Sequence, residues 1–206
     1  MILLGLILSY LIGSLPTAYI FGKQLKGFDI RDHGSGNMGA TNVFRVLGKK
    51  PGIAVLIIDI LKGVFAVGGL GLLLGITSNI GLILLGVASV CGHNWTIFLQ
   101  FKGGKGIATS LGVLIGLTIQ IASIRPVVCL TLLVWIGAFL ISCIVSLSSI
   151  IAATFLPIAM LLTNQPLELI CLGIIICVFV VIRHKANIKR LLEGQESRVP
   201  LYKKKH

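Results

Sequence analysis

The stretch VVCLTLLVWIGAFLISCIVSLSSIIAATFLPIAMLLT, residues 127–163, indicates a membrane protein, because it contains 37 residues and no charged side chain. A membrane-spanning helix needs about 20 apolar residues, so this stretch is too long for one span and long enough for two. Its polar break is Val145-Ser146-Leu147-Ser148-Ser149, and serine favours the start of a helix. We therefore predict two spans, 127–145 and 149–163, separated at the serines.

The rest of the chain continues this pattern. Of 206 residues, 56% are hydrophobic and 12% are charged, whereas a soluble domain carries about 25% charged residues. Further apolar segments of spanning length lie at 2–22, 52–75, 79–98, 107–123 and 167–182. The long apolar runs exclude a disordered chain and a transmembrane barrel. We predict an all-α polytopic membrane protein: a single domain, 1–206, built as a bundle of seven transmembrane helices.

The distribution of basic residues predicts the orientation of the bundle. The chain has 18 Lys and Arg against 6 Asp and Glu, concentrated in loop 23–51, loop 99–106 and the tail from Arg183. Cytoplasmic loops collect Lys and Arg, so all three belong on the cytoplasmic side. Four crossings between loop 99–106 and the tail satisfy this rule, and three do not. The N-terminus is then outside and the C-terminus cytoplasmic. We attribute the net charge of +12 to basic residues that set the orientation in the membrane and that face an anionic ligand or lipid surface. No nucleic-acid partner is expected.

Residues 31–50, the first segment, contain an unusual run of small polar residues, Gly34-Ser35-Gly36-Asn37-Met38-Gly39-Ala40-Thr41-Asn42, followed by Arg45. The glycines let the backbone approach a ligand closely, and the uncharged side chains supply hydrogen bonds. Thr41 or Asn42 is expected to cap a short helix that Gly48 ends. The alternative is a turn-rich connection with Arg45 on lipid phosphates.

Residues 92–109, the second segment, contain Phe101-Lys102-Gly103-Gly104-Lys105-Gly106 directly before a predicted span. Backbone N–H groups at the positive end of a helix form an anion site, to which Lys105 adds a charge. The spacing is not that of a Walker A loop, so nucleotide hydrolysis is not predicted. The alternative is a flexible loop with two lysines that set topology.

Residues 183–196, the third segment, follow the last predicted span. If the helix continues past Arg183, then His184, Asn187 and Leu191 share one face, where the His and Asn side chains can hold an oxyanion. The alternative is a basic juxtamembrane helix lying on anionic lipid.

Other polar residues receive structural interpretations. Asp59 and Lys62 are spaced i, i+3 inside a span, which favours a mutual ion pair. His93 and Asn94 are expected to contact the first segment. The four histidines are scattered without metal-ligand spacing, so neither a metal nor another cofactor is predicted, and the five cysteines are read as reduced packing residues.

Together these motifs resemble those of the bacterial acyl-phosphate:glycerol-3-phosphate acyltransferases. The family's first motif matches Ser35-Gly36-Asn37-Met38-Gly39-Ala40-Thr41-Asn42 with Arg45. Its second motif matches Gly92-His93 with Phe98, Phe101 and Lys102–Gly106. Its third motif matches His184, Asn187, Ile188, Arg190-Leu191-Leu192, Gly194 and Glu196. The serine turn, residues 145–150, and Asp59 with Lys62-Gly63 also match. Thr96 stands where this family usually has proline.

The resemblance implies acyl transfer from acyl phosphate to the 1-hydroxyl of glycerol 3-phosphate in the bacterial cytoplasmic (inner) membrane, giving lysophosphatidic acid and phosphate. Acyl phosphate, glycerol 3-phosphate and membrane lipid are the expected partners. The expected catalytic residues are Ser35, Arg45, Lys105, His184 and Asn187, converging at the cytoplasmic face. The expected substrate-binding residues are Asn37, Thr41, Asn42, Gly103, Gly104 and Ser149, and the expected structural ones are Asp59, Lys62, His93 and Glu196.

Two questions stay open at this point. The base for the attacking hydroxyl is either His184 or an oxygen of the acyl phosphate itself, and we favour the second because acyl phosphate has a good leaving group. The alternative function is a small-anion transporter or channel, which predicts polar residues near the middle of the bilayer and an inverted repeat.

Overall fold

A computed structural model describes residues 1–199, and every regular element within that range is helical. The chain forms two compact units, Met1–Arg125 and a second that begins at Pro126. The first unit contains α1 (Ile2–Ser14), α2 (Thr17–Lys26), α3 (Ala40–Leu47), α4 (Lys49–Val64), α5 (Leu70–Leu73), α6 (Asn79–Asn94) and α7 (Ile107–Gln120). The second contains α8 (Arg125–Ser142), which starts at the boundary, α9 (Val145–Leu162), α10 (Leu167–Arg183) and α11 (Lys185–Leu192). The all-α prediction is confirmed.

Five helical segments within residues 1–199 are long and apolar enough to cross a membrane, namely Ile2–Lys26, Lys49–Leu73, Asn79–Leu99, Ala122–Ser142 and Val145–Leu162. The pair α10 and α11, bent by 63°, gives a sixth span if it is counted as one. The remaining apolar helix, α7, has 14 residues, which is about 21 Å at 1.5 Å per residue. The hydrocarbon core is about 30 Å thick. The count of seven crossings therefore stays a prediction.

The first span is not the continuous helix predicted for 2–22. α1 ends at Ser14 and α2 starts at Thr17, with Leu15 and Pro16 between them. Proline lacks an N–H group and disfavours helical geometry at the residue before it, so the break follows from Pro16. The Leu15 carbonyl accepts a hydrogen bond of 3.1 Å from Lys62 Nζ, which supplies the partner that the helix no longer provides.

The broken span packs closely against α6. A Cβ atom at Gly13 would overlap the Ser89 carbonyl, and a Cβ atom at Gly92 would overlap the Tyr10 carbonyl. Such small residues let the backbones of membrane helices approach directly. This contact holds the end of α6, which carries His93 and Asn94, beside the helix break.

The first segment rests on its own buried cluster. The fully or almost fully buried members come from α2, the following loop, α3 and α4, and they are Ala18, Ile30, Met38, Val43 and Val55. Packing of the loop residues Ile30 and Met38 into this cluster fixes a segment that would otherwise be a free connection.

The second unit contains the split predicted within 127–163, but at a different place. α8 and α9 are separated at residues 143–144, where Cys143 has a positive φ of 57°. The serines do not cap α9. They lie inside its first turns, where the hydroxyls of Ser148 and Ser149 donate to the carbonyls four residues earlier. Serine satisfies its hydroxyl in this way within a helix, so the polar run did not mark the break itself.

Candidate active site

Asn42 shapes the loop of the first segment. Its side-chain Nδ2 donates to the carbonyls of His33 at 3.0 Å and Ile30 at 3.3 Å, and its Oδ1 accepts from the Ser35 N–H at 2.8 Å. Gly34 has a positive φ of 63°, and a Cβ atom there would overlap Asn42 Oδ1. The loop therefore has one backbone shape, held by a buried amide, and Asn42 has a structural role in addition to the predicted substrate contact.

The residues predicted to do chemistry in the first segment are exposed. Ser35 and Arg45 reach solvent, Asn37 and Thr41 are half-buried, and Met38 between them is buried. The short helix predicted here is present as α3 and ends at Gly48, as expected. The cap is Gly39, so the expected capping by Thr41 or Asn42 is wrong: both side chains lie inside the helix.

A second ordered feature is the glycine loop, Lys102–Gly106. Gly103 N donates to the Asn94 carbonyl at 3.2 Å and Gly104 N donates to the His93 carbonyl at 3.0 Å. A Cβ atom at Gly103 would overlap the His93 carbonyl, and one at Gly104 would overlap the His93 imidazole. These two N–H groups therefore attach the loop to the end of α6.

This geometry corrects the sequence-based picture of the glycine loop. We expected the N–H groups of Gly103 and Gly104 to bind a phosphate, but both N–H groups donate to carbonyls of α6, and the ring of His93 fills the space beside Gly104. Backbone N–H groups without a partner in their own helix lie instead in the first turn of α7, after Gly106. Lys105 lies two residues before that turn.

The predicted ion pair of Asp59 and Lys62 is present, with Lys62 Nζ 2.8 Å from Asp59 Oδ1 and both side chains buried. Asp59 Oδ1 also accepts a 2.5 Å hydrogen bond from the Thr17 hydroxyl and lies 3.8 Å from His93 Nδ1. The pair thus connects α4 to the broken first span and to α6. Asn94, expected to contact the first segment, instead has its amide against Gly106 with no hydrogen-bond partner in residues 1–199.

In the third segment the helix does not continue straight past Arg183 but restarts as α11, whose N-cap is His184. His184 and Asn187 are buried and Leu191 is half-buried, as expected for residues on one face of this helix. The chain bends by 63° between α10 and α11, and His184 lies at the bend. Its Nδ1 is 2.8 Å from the Val180 carbonyl, which also accepts the His184 N–H at 3.0 Å. A carbonyl oxygen only accepts, so Nδ1 carries a proton and Nε2 is the nitrogen that can act as a base in the neutral ring.

Glu196 joins the third segment to the serine turn. Its Oε1 accepts from Asn187 Nδ2 at 2.5 Å and from the Ser146 hydroxyl at 2.7 Å, and its Oε2 accepts from Arg190 Nε at 2.7 Å. Burial alone would raise the pKa of this carboxyl, but the hydrogen bonds from Arg190, Ser146 and Asn187 outweigh it and hold the pKa below its usual value. These hydrogen bonds support the predicted structural role of Glu196.

The Ser149 hydroxyl is already engaged within the second unit. It donates to the Val145 carbonyl at 2.8 Å and accepts from Trp135 Nε1 at 3.2 Å. Sequence reasoning missed Trp135, because nothing in an apolar span marks an indole as a hydrogen-bond donor to a residue 14 positions away. Thr17 was missed as well, and its signal was its place directly after Pro16.

Within each unit, segments that are separate in sequence come together. In the first unit a small polar pocket is lined by Met38 of the first segment, by Lys62, and by His93 and Gly104 of the second segment. In the second unit Glu196 joins the serine turn to the third segment. The convergence of Ser35, Arg45, Ser149, His184 and Asn187 at one site stays a prediction.

Apolar spans with ordered polar segments at their ends define a helical membrane protein, and its similarity to known proteins identifies the family. The family model described as glycerol-3-phosphate acyltransferase matches residues 3–194. The glycerol-3-phosphate acyltransferase of Desulforudis audaxviator is 48% identical over 193 residues, 93% of this chain and 92% of the relative. That of Fusobacterium nucleatum is 44% identical over 199 residues, 94% of this chain and 95% of the relative.

Solved structures agree. A crystal structure of PlsY (YgiH), an integral membrane glycerol 3-phosphate acyltransferase in its glycerol 3-phosphate form, has a TM-score of 0.85 and 40% identity over 96% of this chain and 95% of that chain. Its lysophosphatidic acid form has a TM-score of 0.82 and 41% identity over 96% and 94% of the two chains. The chain belongs to the glycerol-3-phosphate acyltransferase family, and the predicted resemblance is confirmed.

Proposed function

We propose that this protein transfers an acyl group from acyl phosphate to the 1-hydroxyl of glycerol 3-phosphate, giving lysophosphatidic acid and inorganic phosphate in the first acylation of phospholipid synthesis. The observation that carries the proposal is the match, over 96% of this chain, to an acyltransferase structure in its glycerol 3-phosphate form. The sequence alone leaves a small-anion transporter open. Asp59 and Lys62 lie inside a span, as that alternative predicts, but the two charges pair with each other at 2.8 Å.

The reaction is a direct displacement. The 1-hydroxyl oxygen of glycerol 3-phosphate attacks the acyl carbonyl, the bond from that carbonyl to the phosphate oxygen breaks, and the departing phosphate takes the hydroxyl proton. Atoms and charge balance without a protein base. The exposed Ser35 orients a substrate, and Arg45 holds phosphate oxygens with charge-assisted hydrogen bonds.

Lys105 and the first turn of α7 bind a phosphate group. A helix N-terminus favours an anion through its unpaired N–H groups and its dipole, and the adjacent ammonium adds a full charge. Asn37 and Thr41 contribute neutral hydrogen bonds, while Gly103 and Gly104 contribute the loop shape. The Ser149 hydroxyl already donates to Val145 and accepts from Trp135, so it contributes only through its second acceptor lone pair. His184 holds phosphate through Nε2, and Asn187 orients a substrate from the third segment.

The topology proposed for this activity has seven crossings in a bacterial cytoplasmic membrane, with the N-terminus outside. Loop 23–51, loop 99–106 and the tail from Arg183 then face the cytoplasm. Support comes from the Lys and Arg of these three stretches. Labelling of single cysteines at Lys26, Lys105 and Ser197 from the inside, and at Asn79 and Asn164 from the outside, tests the orientation.

The activity is tested with purified protein, acyl phosphate and glycerol 3-phosphate. We expect lysophosphatidic acid and phosphate in equal amounts, detected by mass spectrometry and a phosphate assay, and no product when acyl-CoA replaces acyl phosphate. The matched control is the Lys105→Ala protein, in which loss of one charge-assisted contact weakens phosphate binding about ten- to a hundredfold. Anion flux into protein-containing vesicles without lysophosphatidic acid formation would support the transporter instead.

A further inference from the structure

Two opposite charges lie buried inside the first unit, in the apolar span Lys49–Leu73. Asp59 is 1% exposed and Lys62 is 5% exposed. Apolar residues of similar volume often stabilise a protein as well as a buried ion pair does. Ionisable residues inside a membrane span therefore indicate a function beyond stability.

The pair holds together elements that the sequence separates. Lys62 Nζ binds the Leu15 carbonyl at the break of the first span, and Asp59 Oδ1 accepts from the Thr17 hydroxyl on the other side of that break. The same carboxylate oxygen lies 3.8 Å from His93 Nδ1 at the end of α6. At 3.8 Å the carboxylate is beyond hydrogen-bond distance and acts on the ring through its negative charge, which favours a protonated Nδ1 on the side that faces Asp59.

His93 in turn determines where the glycine loop lies. Its carbonyl accepts the Gly104 N–H at 3.0 Å, and its imidazole occupies the space beside the Gly104 Cα atom. The ring lies against the Gly104 backbone, so its orientation limits where Gly104, and with it Lys105, can lie. A continuous set of contacts runs from the buried charges to the loop.

We propose that Asp59 and Lys62 are positioning residues for the glycine loop, acting through the His93 imidazole, and that they set the affinity for the substrate whose phosphate binds at Lys105. The inference rests on the proposed function of Lys105 as a phosphate ligand. It assigns to the pair an effect on substrate binding and not on the acyl-transfer step.

The test is the double variant Asp59→Asn/Lys62→Gln, which removes both charges together and leaves neither unpaired. Steady-state kinetics give kcat and KM for each substrate, and the Lys105→Ala protein shows which KM reports on the loop. We expect that KM to rise about ten- to a hundredfold in the pair variant, the range produced by an ångström-scale misplacement of a binding group. kcat per folded protein is expected to stay within about threefold.

Coupling through His93 is tested by adding His93→Gln to the pair variant. Residues that act through one contact are not additive, so the triple variant is expected to have the same KM as the pair variant. An additional rise equal to that of His93→Gln alone would overturn the inference, as would an unchanged KM in a folded pair variant.

Two further variants test the positioning role of Asp59 and Lys62 if the pair variant does not fold. Thr17→Val removes one hydrogen bond to Asp59 without changing a charge, and we expect it to raise the same KM about two- to fivefold. Its control is Ser9→Ala, which removes a buried hydroxyl bonded to the Ala66 carbonyl in the same unit and leaves KM unchanged. An unchanged KM in both Thr17→Val and His93→Gln overturns the inference.

The Lys105→Ala protein distinguishes failure of this inference from failure of the proposed function. If Lys105→Ala changes neither KM, the phosphate role of the loop is wrong. If Lys105→Ala raises one KM and the pair variant does not, the positioning role alone is wrong.

Discussion

The first and third segments differ in how they combine residues that hold the backbone in shape with residues proposed to contact substrate. In the first segment the scaffold and the chemistry are separate residues: buried Asn42 holds the loop, while Ser35 and Arg45 are exposed. In the third segment they coincide, because Asn187 is itself bonded to Glu196 and His184 is buried at the helix bend. Substitutions should therefore separate activity from stability in the first segment and change both together in the third.

The largest effect is expected from Arg45→Ala. Arg45 lies exposed on α3, so its removal takes away charge stabilisation of phosphate without a packing change. We expect kcat/KM to fall about 10²- to 10³-fold, with the melting temperature unchanged.

The control for Arg45 is Lys50→Ala, which removes another exposed basic side chain near the start of α4. Its activity is expected to stay within about twofold of wild type. Equal losses in the two variants would show a general effect of basic charge and contradict a specific site at Arg45.

Glu196→Gln tests whether activity and stability fall together in the third segment. It removes the ion pair to Arg190 and weakens the bonds from Ser146 and Asn187, so we expect a loss of about 2–4 kcal/mol in stability, measured as thermal unfolding in detergent. Activity should fall with the folded fraction.

Glu193→Gln is the matched control, since its ion pair with Lys189 is exposed and 3.9 Å long. Exposed pairs contribute about 0–1 kcal/mol, so this variant should unfold like wild type. A stable, inactive Glu196→Gln protein would contradict the structural role of Glu196 and would indicate direct contact with substrate.

Gly104→Ala tests whether the glycine loop, like the third segment, combines a structural role with a binding role. The added methyl group overlaps the His93 imidazole, and overpacking of this kind costs about 1–3 kcal/mol. We expect a reduced yield of folded protein that is partly restored in His93→Ala/Gly104→Ala, where the ring is absent. Normal yield and stability in the single variant would show that Gly104 serves ligand approach alone.

The smallest predicted effect is a pH dependence of stability. The folded-state pKa of Glu196 lies below its unfolded value, so its contribution is present at neutral pH and is lost as pH falls through the folded pKa. Wild type should lose stability relative to Glu196→Gln below about pH 4.3, the ordinary glutamate value. A constant difference in melting temperature down to pH 3 would contradict the lowered pKa.

Residue patterns predicted much of this molecule because apolar spans and ion-pair spacing are local properties. The helical class, the split within 127–163, the short helix ended by Gly48 and the pair of Asp59 with Lys62 all follow from neighbours in sequence. The bend at His184 and the bonding of Gly103 and Gly104 to α6 depend on partners that the sequence does not identify. In both places a group that we assigned to ligand binding instead forms a hydrogen bond within the protein: the His184 ring bonds to the Val180 carbonyl, and the N–H groups of Gly103 and Gly104 bond to carbonyls of α6.

Acyl transfer is proposed to proceed without an acylated enzyme, and rapid mixing of the protein with acyl phosphate in the absence of glycerol 3-phosphate tests this. Direct transfer predicts no burst of phosphate and an intact protein of unchanged mass, followed by simultaneous release of phosphate and lysophosphatidic acid once glycerol 3-phosphate is added. A phosphate burst equal to the amount of enzyme, with the acyl group found on Ser35, would contradict the account.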